Sequence, residues 1–255
     1  MKRFDGQLAV VTGAASGIGW AISEQLASGG AHVVLADLNA DAAEAKAAQL
    51  REAGYHARSA AVDVSAPHDV QRWADDIVAA DGTPQILVHS AGVGVERAFL
   101  ETTIEEWERI IRVDLTGSFL VSQTLARHMI RAGYGRIVLL ASTAGLRGGV
   151  GRAAYGSAKG GVITLTKVMA VELARYGITV NALAPGAIET ELVAVMHSPR
   201  TRQTYRSRIP LDRYGTPAET AASAMFLCSR EAAYVTGHVL AVDGGFLAAG
   251  LMNDA

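Results

Sequence analysis

A tyrosine and a lysine stand four positions apart in AYGSAKG, residues 154–160, among small residues. On an α-helix this spacing places the phenol of Tyr155 and the ammonium of Lys159 on one face, about one turn apart. An isolated phenol or ammonium titrates near pH 10, so neither exchanges protons readily at pH 7. A neighbouring cation stabilises a phenolate, and so does a helix N-terminus when the tyrosine lies in its first turn. The pair therefore predicts a general acid or base.

A second candidate site lies near the N-terminus, where the apolar run LAVV leads into TGAASGIG. Gly13, Gly17 and Gly19 would allow a tight turn from a strand into a helix, whose free amides favour a pyrophosphate. The alternative is a plain strand-to-helix turn, because three glycines alone are a weak signal. An acidic residue, Asp37, follows at about the 20-residue offset that suits a ribose contact. Together these residues predict dinucleotide binding.

The acidic residue also predicts which dinucleotide is bound. The carboxylate of Asp37 can accept hydrogen bonds from ribose hydroxyls, and it would repel a 2′-phosphate. None of its neighbours Ala14, Ala15, Leu38 and Asn39 supplies the cation that a 2′-phosphate requires. These residues favour NAD over NADP. The alternative is that Asp37 serves only as the N-cap of the following helix.

Short apolar runs alternate with longer Ala-rich amphipathic stretches along the chain, which is the βαβ pattern of a parallel sheet. Strands are predicted near LAVVTG, HVVLAD, ARSAAVD, ILVHSAG, RIVLLAS, ITVNALAP and HVLAVDG. Helices are predicted to begin near Gly17, Asn39, Ala66, Thr103, Ala153 and Pro217. Residues 103–132 suit two helices or one bent helix. With no linker or repeat, residues 1–255 are predicted to form one α/β domain, a doubly wound parallel sheet of about seven strands. Residues 188–214 break the pattern and are predicted to form a substrate lid.

These motifs resemble the short-chain dehydrogenase/reductase family over nearly the whole chain. TGAASGIG matches the TGxxxGxG loop of that family, YGSAK matches its YxxxK motif, and Ser142 lies at the usual distance before the tyrosine. NALAPG, residues 181–186, resembles the segment that follows its sixth strand. The resemblance implies an extended Rossmann fold and a nicotinamide cofactor. It also implies a homotetramer paired through the helices that match residues 103–132 and 153–176.

The resemblance also implies a reaction. Tyr155 would take the proton of a secondary alcohol while a hydride leaves the carbinol carbon for the nicotinamide, and reduction would run in reverse. Ser142 would hydrogen-bond the substrate oxygen, and Lys159 would also hold the nicotinamide ribose. General acid–base catalysis of this kind contributes ~10²–10⁴ in rate.

Cofactor contacts follow from the same resemblance. Asp63 and Val64 would lie at the adenine, Thr190 at the nicotinamide carboxamide, and the small residues Ala91 and Gly92 would let the backbone approach the cofactor. The complete predicted set is Gly13, Ser16, Gly17, Ile18, Gly19, Asp37, Asp63, Val64, Ala91, Gly92, Tyr155, Lys159, Pro185, Gly186, Ile188 and Thr190.

Two positions depart from the pattern of that family. RVDLTG has Asp114 where the family commonly has an asparagine whose backbone carbonyl holds a water in line with the lysine. The backbone of Asp114 could keep this role in a proton relay, its carboxylate could strengthen the water's hydrogen bonds, or it could merely pair with a neighbouring arginine. We expect a working relay, and we count Asp114 among the catalytic residues. HSAG has His89 where the family usually has NNAG, and we expect a structural hydrogen bond there.

The predicted lid carries a cluster of cations, Arg200, Arg202, Arg206, Arg208 and Arg213, with Asp212 as the one acid of MHSPRTRQTYRSRIPLDR. These arginines could be paired surface residues, or they could bind an anionic substrate through guanidinium forks. Arg147 and Arg152 could bind the same anion from the opposite wall or could lie at the rim. Polyols, sugar alcohols and hydroxy acids all remain possible substrates.

Composition excludes several other classes of function. The chain has 255 residues, 50% of them hydrophobic, and a net charge of −2, which argues against nucleic-acid binding. It has neither a signal-peptide pattern nor an apolar run long enough for a membrane span, and its single Cys228 suits a reducing compartment, so we expect a cytoplasmic protein. No cluster has metal-ligand spacing. The alternatives to an NAD-dependent dehydrogenase are an NADPH-dependent 3-oxoacyl-thioester reductase and a catalytically silent nucleotide-binding protein.

Overall fold

The computed structural model describes residues 2–250 and 252, which contain a seven-stranded, all-parallel sheet in the order β3-β2-β1-β4-β5-β6-β7. Each apolar run predicted as a strand forms one. The strands are β1 (Leu8–Thr12), β2 (His32–Asp37), β3 (Ala57–Ala61), β4 (Ile86–His89), β5 (Gly135–Leu140), β6 (Ile178–Pro185) and β7 (Val239–Val242).

Helices cover both faces of this sheet, as the doubly wound prediction requires. They are α1 (Gly17–Ser28), α2 (Ala40–Glu52), α3 (Pro67–Asp81), α4 (Ile104–Ile110), α5 (Gly117–Ala132), α6 (Ala153–Leu173), α7 (Glu191–Met196), α8 (Pro199–Arg206) and α9 (Pro217–Cys228). In the part of the chain that the structure describes, no helix is both long and apolar enough to cross a membrane.

Alternating side chains of the central strands build two cores. Val10 of β1 packs in the core under α3, α5 and α6, whereas Val11 packs in the core under α1, α2 and α9. All five residues of β1 are buried, which explains why its sequence is a continuous apolar run rather than an alternating one. Burying each such aliphatic side chain contributes roughly 1.5–3 kcal/mol. The sheet is therefore a rigid platform for residues at the ends of its strands.

The site is positioned by the point at which the strand order reverses. The chain moves outward from β1 to β3, then crosses to β4 on the other side of β1. At this crossover the loops after β1 and β4 diverge and leave a crevice at the carboxyl ends of the strands, where such sheets bind ligands.

Residues 103–132, predicted as two helices or one bent helix, form two α-helices joined by a π-helical turn. Thr103 caps α4 in a capping box with Glu106, and a π-helical turn over Ile111–Thr116 then leads directly into α5. A π-helical turn inserts an extra residue into the helix and is frequent at functional sites. This one contains Asp114.

Residues 188–214 are more regular than their sequence suggests, because they contain the two short helices α7 and α8. The hydroxyls of Thr190 and Ser198 cap these helices by accepting hydrogen bonds from the backbone N–H of Val193 and Thr201. That this segment acts as a substrate lid stays a prediction.

Candidate active site

A cleft of about 490 Å³ opens at the carboxyl ends of the central strands. It is lined by every residue that we predicted for catalysis or cofactor binding, namely Gly13, Ser16, Gly17, Ile18, Gly19, Asp37, Asp63, Val64, Ala91, Gly92, Asp114, Ser142, Tyr155, Lys159, Pro185, Gly186, Ile188 and Thr190. It is also lined by residues that the motifs did not single out, although each directly follows or precedes a predicted one: Leu38, Ser90, Val93, Val113 and Glu191.

The glycine loop joins β1 to α1 with no room for side chains at two positions. Gly13 has a φ of +64°, and a Cβ there would lie 2.7 Å from the Cα of Ala91. A Cβ at Gly19 would lie 2.1 Å from the carbonyl oxygen of Gly13. The loop therefore packs directly against both the first turn of α1 and the segment after β4. This leaves the N-terminus of α1 at the cleft, an arrangement that fits a pyrophosphate.

Asp37 is the last residue of β2, and its carboxylate bridges two loops. Its Oδ2 accepts a hydrogen bond from the Ala15 N–H at 3.1 Å, and its Oδ1 accepts one from the Asn39 N–H at 3.1 Å. The N-cap of α2 is Asn39, whose side chain accepts from the Ala42 N–H. The alternative in which Asp37 is only a helix cap is therefore wrong. Its carboxylate borders the cleft beside the glycine loop.

The side chains predicted for catalysis lie in the first two turns of α6 and in the segment after β5. Tyr155 lies in the first turn of α6, and the Nζ atom of Lys159 lies 5.6 Å from the centre of its ring. Ser142 lies two residues beyond the end of β5, and its Oγ accepts a hydrogen bond from the Ala144 N–H at 3.1 Å. Because this contact uses the serine as an acceptor, its O–H can still donate to a ligand.

Lys159 is held in place by two acceptors beneath the cleft. It is only 4% exposed, its Nζ donates to the Leu140 carbonyl at 2.9 Å, and the same atom lies 3.2 Å from Oδ2 of Asp114. Burial by itself would lower the pKa of Lys159. The charges of Asp114 and Tyr155, together with the hydrogen bond to Asp114, have the larger opposite effect, so the pKa of Lys159 is raised above its ordinary value. The lysine therefore remains a cation at neutral pH.

Asp114 is fully buried in the π-helical turn and uses both carboxylate oxygens. Oδ1 accepts a hydrogen bond from the Val93 N–H at 2.8 Å, and Oδ2 forms the ion pair with Lys159. Its carbonyl oxygen accepts a hydrogen bond from the Ser118 hydroxyl at 2.5 Å. The alternative in which Asp114 pairs with an arginine is therefore wrong. A Cβ at Gly92 would lie 3.2 Å from Oδ2 of Asp114, so the small residue leaves room for the pair.

His89 makes the structural hydrogen bond that we predicted at the end of β4. Its Nδ1 lies 2.8 Å from the hydroxyl of the buried Thr12, which in turn accepts from the Ala91 N–H at 3.3 Å. The imidazole is 2% exposed. Burial, and then the charge of Lys159, lowers the pKa of His89 to about 3. It is therefore a neutral link between the strands β1 and β4.

This burial predicts a pH-dependent stability. The unfolded chain binds a proton at His89 near the ordinary pKa of 6.5, whereas the folded chain binds it only near 3. The free energy of unfolding should therefore fall as pH drops below 6.5, by roughly 1.4 kcal/mol per pH unit. Between pH 7 and pH 5 in urea, we expect the wild type to lose about 2 kcal/mol more than His89→Asn. Equal losses in the two proteins would contradict this account.

Three of the lid arginines are paired with carboxylates. Arg202 binds both oxygens of Glu189 at 2.7 and 2.9 Å. Arg206 lies 3.1 Å from Oδ2 of Asp212, and Arg213 forms a bidentate pair with Glu219 at 2.6 and 3.0 Å. These contacts fit the alternative of paired surface arginines.

The two arginines of the opposite wall differ in their contacts. Arg147 is exposed, and its guanidinium stacks over the ring of Phe246 at 5.4 Å. The guanidinium of Arg152 lies 3.3 Å from a carboxylate oxygen of Glu96 and 5.9 Å from the centre of the Tyr155 ring. Arg152 is thus the arginine that the structure brings next to the candidate acid–base residue.

Among residues 2–250 and 252, no group of three or more His, Cys, Asp or Glu side chains is arranged to hold a metal ion. The groups placed for acid–base chemistry are the Tyr155 phenol, the Ser142 hydroxyl and the Lys159 ammonium. Side chains capable of proton transfer and a helix N-terminus suited to an anion thus line the same cleft.

Comparisons with known proteins agree with this geometry. Residues 13–247 match the family model described as enoyl-(acyl carrier protein) reductase. The chain is 38% identical to the 3-oxoacyl-(acyl-carrier-protein) reductase FabG of Aquifex aeolicus over 244 residues, covering 95% of this chain and 98% of that protein. It is 40% identical to the D-threitol dehydrogenase of Mycolicibacterium smegmatis over 245 residues, covering 96% and 94%.

A similar solved structure is that of a gluconate 5-dehydrogenase from Burkholderia cenocepacia in complex with NADP and tartrate. It superposes with a TM-score of 0.94 at 36% identity, covering 98% of this chain and 99% of that one. These relatives match almost the full length of the chain, and the solved structure shares its fold. The chain belongs to the short-chain dehydrogenase/reductase family of oxidoreductases that act on CH–OH groups.

Proposed function

We propose that this protein is an NAD-dependent dehydrogenase that interconverts a secondary alcohol and its ketone. One observation carries the proposal: Ser142, Tyr155 and Lys159 line the same cleft as the glycine loop and Asp37, with Lys159 beside the Tyr155 ring. A nicotinamide bound along this cleft would supply the hydride acceptor. The substrate class within the secondary alcohols is a polyol, a sugar alcohol or a hydroxy acid.

The proposed roles of the side chains follow from their contacts. The Tyr155 hydroxyl removes the proton of the substrate hydroxyl during oxidation and returns it during reduction. Ser142, whose O–H is free to donate, hydrogen-bonds the substrate oxygen and orients it toward the phenol. Lys159, held as a cation by the buried Asp114, stabilises the phenolate that forms during proton transfer. Orienting these groups before the reaction supplies much of the remaining rate enhancement.

We propose that Asp37 selects NAD. Its carboxylate lies beside the Ala15 amide, so a 2′-phosphate at this place would meet a negative charge. We expect the wild type to have a kcat/KM for NAD roughly 100-fold above that for NADP, since hydrogen bonds to charged groups contribute about 1.5–3 kcal/mol. Asp37→Ser should lower kcat/KM for NAD at least tenfold and raise that for NADP. Initial rates with both cofactors test this, and equal wild-type rates would contradict it.

The experiment for the reaction itself is a panel of initial rates with purified protein and NAD or NADP. The panel contains polyols, hydroxy acids, simple secondary alcohols and hydroxyacyl thioesters. NAD-linked turnover of one of the first three groups is the expected result. Binding of NAD without turnover of any member would favour the catalytically silent alternative.

A second candidate function is an NADPH-dependent 3-oxoacyl-thioester reductase. It is favoured by the similarity to the 3-oxoacyl-(acyl-carrier-protein) reductase of Aquifex aeolicus. Asp37 opposes it, because an NADPH-dependent enzyme needs a cation near the 2′-phosphate. The thioester arm of the panel with NADPH separates the two functions.

We further propose that the protein is a homotetramer, as the family resemblance implies. Large apolar side chains are exposed on the helices that the resemblance assigns to subunit contacts, namely Ile104, Trp107, Phe119, Val168 and Val171. Such exposed apolar surface favours association. Light scattering should give a mass about four times the 26.7 kDa of one chain, whereas the mass of a single chain would contradict the proposal.

A further inference from the structure

An arginine–glutamate pair, Arg152 with Glu96, lies beside Tyr155, with the guanidinium 5.9 Å from the centre of the tyrosine ring. The loop after β4 and the loop before α6 run side by side here, joined by a hydrogen bond from the Arg97 N–H to the Gly151 carbonyl at 3.1 Å. Their neighbours Glu96 and Arg152 form the pair across this junction. The side chain of Arg152 is only 14% exposed, so backbone pairing and packing hold its guanidinium near the phenol.

A second pair of the same kind joins Arg202 to Glu189. His197 is buried and hydrogen-bonds the Tyr214 hydroxyl at 2.9 Å. Burial lowers the pKa of His197, and the charges of both pairs act on it as well. Both pairs therefore lie within electrostatic reach of one imidazole.

Among the described residues that line the cleft, no uncompensated cation is available to an anionic substrate. The lining carboxylates are Asp37, Asp63, Asp114 and Glu191, and the one cation in this described lining is Lys159. That ammonium is already compensated by Asp114 at 3.2 Å. A substrate with a carboxylate or a phosphate would therefore find no free counter-charge in this lining.

The chemistry of an arginine–glutamate pair fits a hydroxyl group. A guanidinium only donates hydrogen bonds and a carboxylate only accepts them, whereas a hydroxyl does both. A hydroxyl bound at Arg152 and Glu96 can thus satisfy both partners. A carboxylate could use only Arg152 and would be repelled by Glu96.

We infer that the substrate is an uncharged alcohol with a second hydroxyl next to the reacting carbinol, and that the Arg152–Glu96 pair recognises this second hydroxyl. The inference rests on the proposed function, and it narrows the substrate class from secondary alcohols in general to neutral vicinal diols and polyols. Arg152 and Glu96 are specificity-determining residues in this account, whereas proton transfer remains with Tyr155.

Three alcohols with the same four-carbon skeleton test the inference: butan-2-ol, butane-2,3-diol and 3-hydroxybutyrate, each with NAD. We expect the wild-type kcat/KM for the diol to exceed the values for the other two by roughly 10- to 100-fold, because hydrogen bonds to charged partners discriminate by about this factor. A wild type that prefers 3-hydroxybutyrate, or one that does not distinguish the diol from butan-2-ol, would overturn the inference.

Substitutions of Arg152 and Glu96 give a test that does not depend on the order of the wild-type kcat/KM values for the three alcohols. Arg152→Gln and Glu96→Gln should each lower kcat/KM for the diol at least tenfold and leave butan-2-ol within about twofold. Glu96→Gln should also raise kcat/KM for 3-hydroxybutyrate about tenfold, because it removes the repulsion and frees the guanidinium of Arg152. Arg97→Gln is the matched control, since Arg97 lies in the same loop but pairs with Glu106 on α4, and it should change none of the three values.

The remaining outcomes are also decisive. An equal loss on all three alcohols in Arg152→Gln would mean that the arginine acts on Tyr155 alone, and it would overturn the inference. Turnover of hydroxy acids but not of diols would overturn the inference and leave the proposed function standing. Absence of turnover with every secondary alcohol, although NAD binds, would instead contradict the proposed function, and the inference would fall with it.

Discussion

Replacing Tyr155 with phenylalanine is expected to lower kcat by about 10³-fold, within the ~10²–10⁴ range of general acid–base catalysis. The phenylalanine keeps the ring that packs against the cluster of Ile110, Ala154 and Ala158, so the fold and the cleft should be preserved. NAD affinity should change by less than about threefold, because the glycine loop and Asp37 are untouched. Initial rates and fluorescence titration with NAD measure the two effects separately.

The matched control for this variant is Tyr176→Phe, at another tyrosine near the C-terminal end of the same helical segment. It should retain the wild-type kcat. A Tyr155→Phe protein with more than a tenth of the wild-type kcat would mean that another group transfers the proton. Equal loss of NAD affinity and kcat would indicate a disturbed cleft rather than a missing acid.

Removing the carboxylate of Asp114 should have the largest effect on stability. In Asp114→Ala the buried ammonium of Lys159 loses its partner at 3.2 Å, and the Val93 N–H loses its acceptor. Breaking a buried ion pair by deleting one partner costs about 3–5 kcal/mol. We therefore expect the free energy of unfolding in urea at pH 7 to fall by about this amount, together with kcat.

The comparison with Asp114→Asn separates charge from shape. An asparagine can still accept from the Val93 N–H but carries no charge for Lys159. We expect it to lose less than half as much stability as the alanine variant, while kcat falls in both. A loss below about 1 kcal/mol in Asp114→Ala would contradict the role of this carboxylate as the counter-charge of Lys159.

Most of the fold could be predicted from the sequence because its signals are local. The fully buried run of β1 and the glycines at positions 13 and 19 are dictated by neighbours a few residues away. Tyr155 and Lys159 share one helix, so their spacing alone places them together. The likeness to a known family added the roles of Ser142 and Thr190, which spacing alone does not provide.

The contacts that could not be predicted join distant segments. Asp114 meets Lys159 because a π-helical turn directs it under α6, and the sequence predicted two helices or one bent helix there but not that turn. Glu96 and Arg152 are 56 residues apart and meet only because two loops pair beside the cleft. The predicted lid carries five arginines whose partners its sequence does not identify, and Arg213 pairs with Glu219 outside that segment. Charge balance at the rim is therefore a property of the tertiary structure.

Transfer of deuterium tests the central claim most directly. A secondary alcohol that the protein oxidises, deuterated at its carbinol carbon, is incubated with NAD and the wild-type protein, and the reduced cofactor is analysed by mass spectrometry and NMR. The account predicts one deuterium at C4 of the nicotinamide for each ketone formed, and a rate about 10³-fold lower in Tyr155→Phe. Ketone formation without deuterium in the cofactor, or an undiminished rate in Tyr155→Phe, would contradict it.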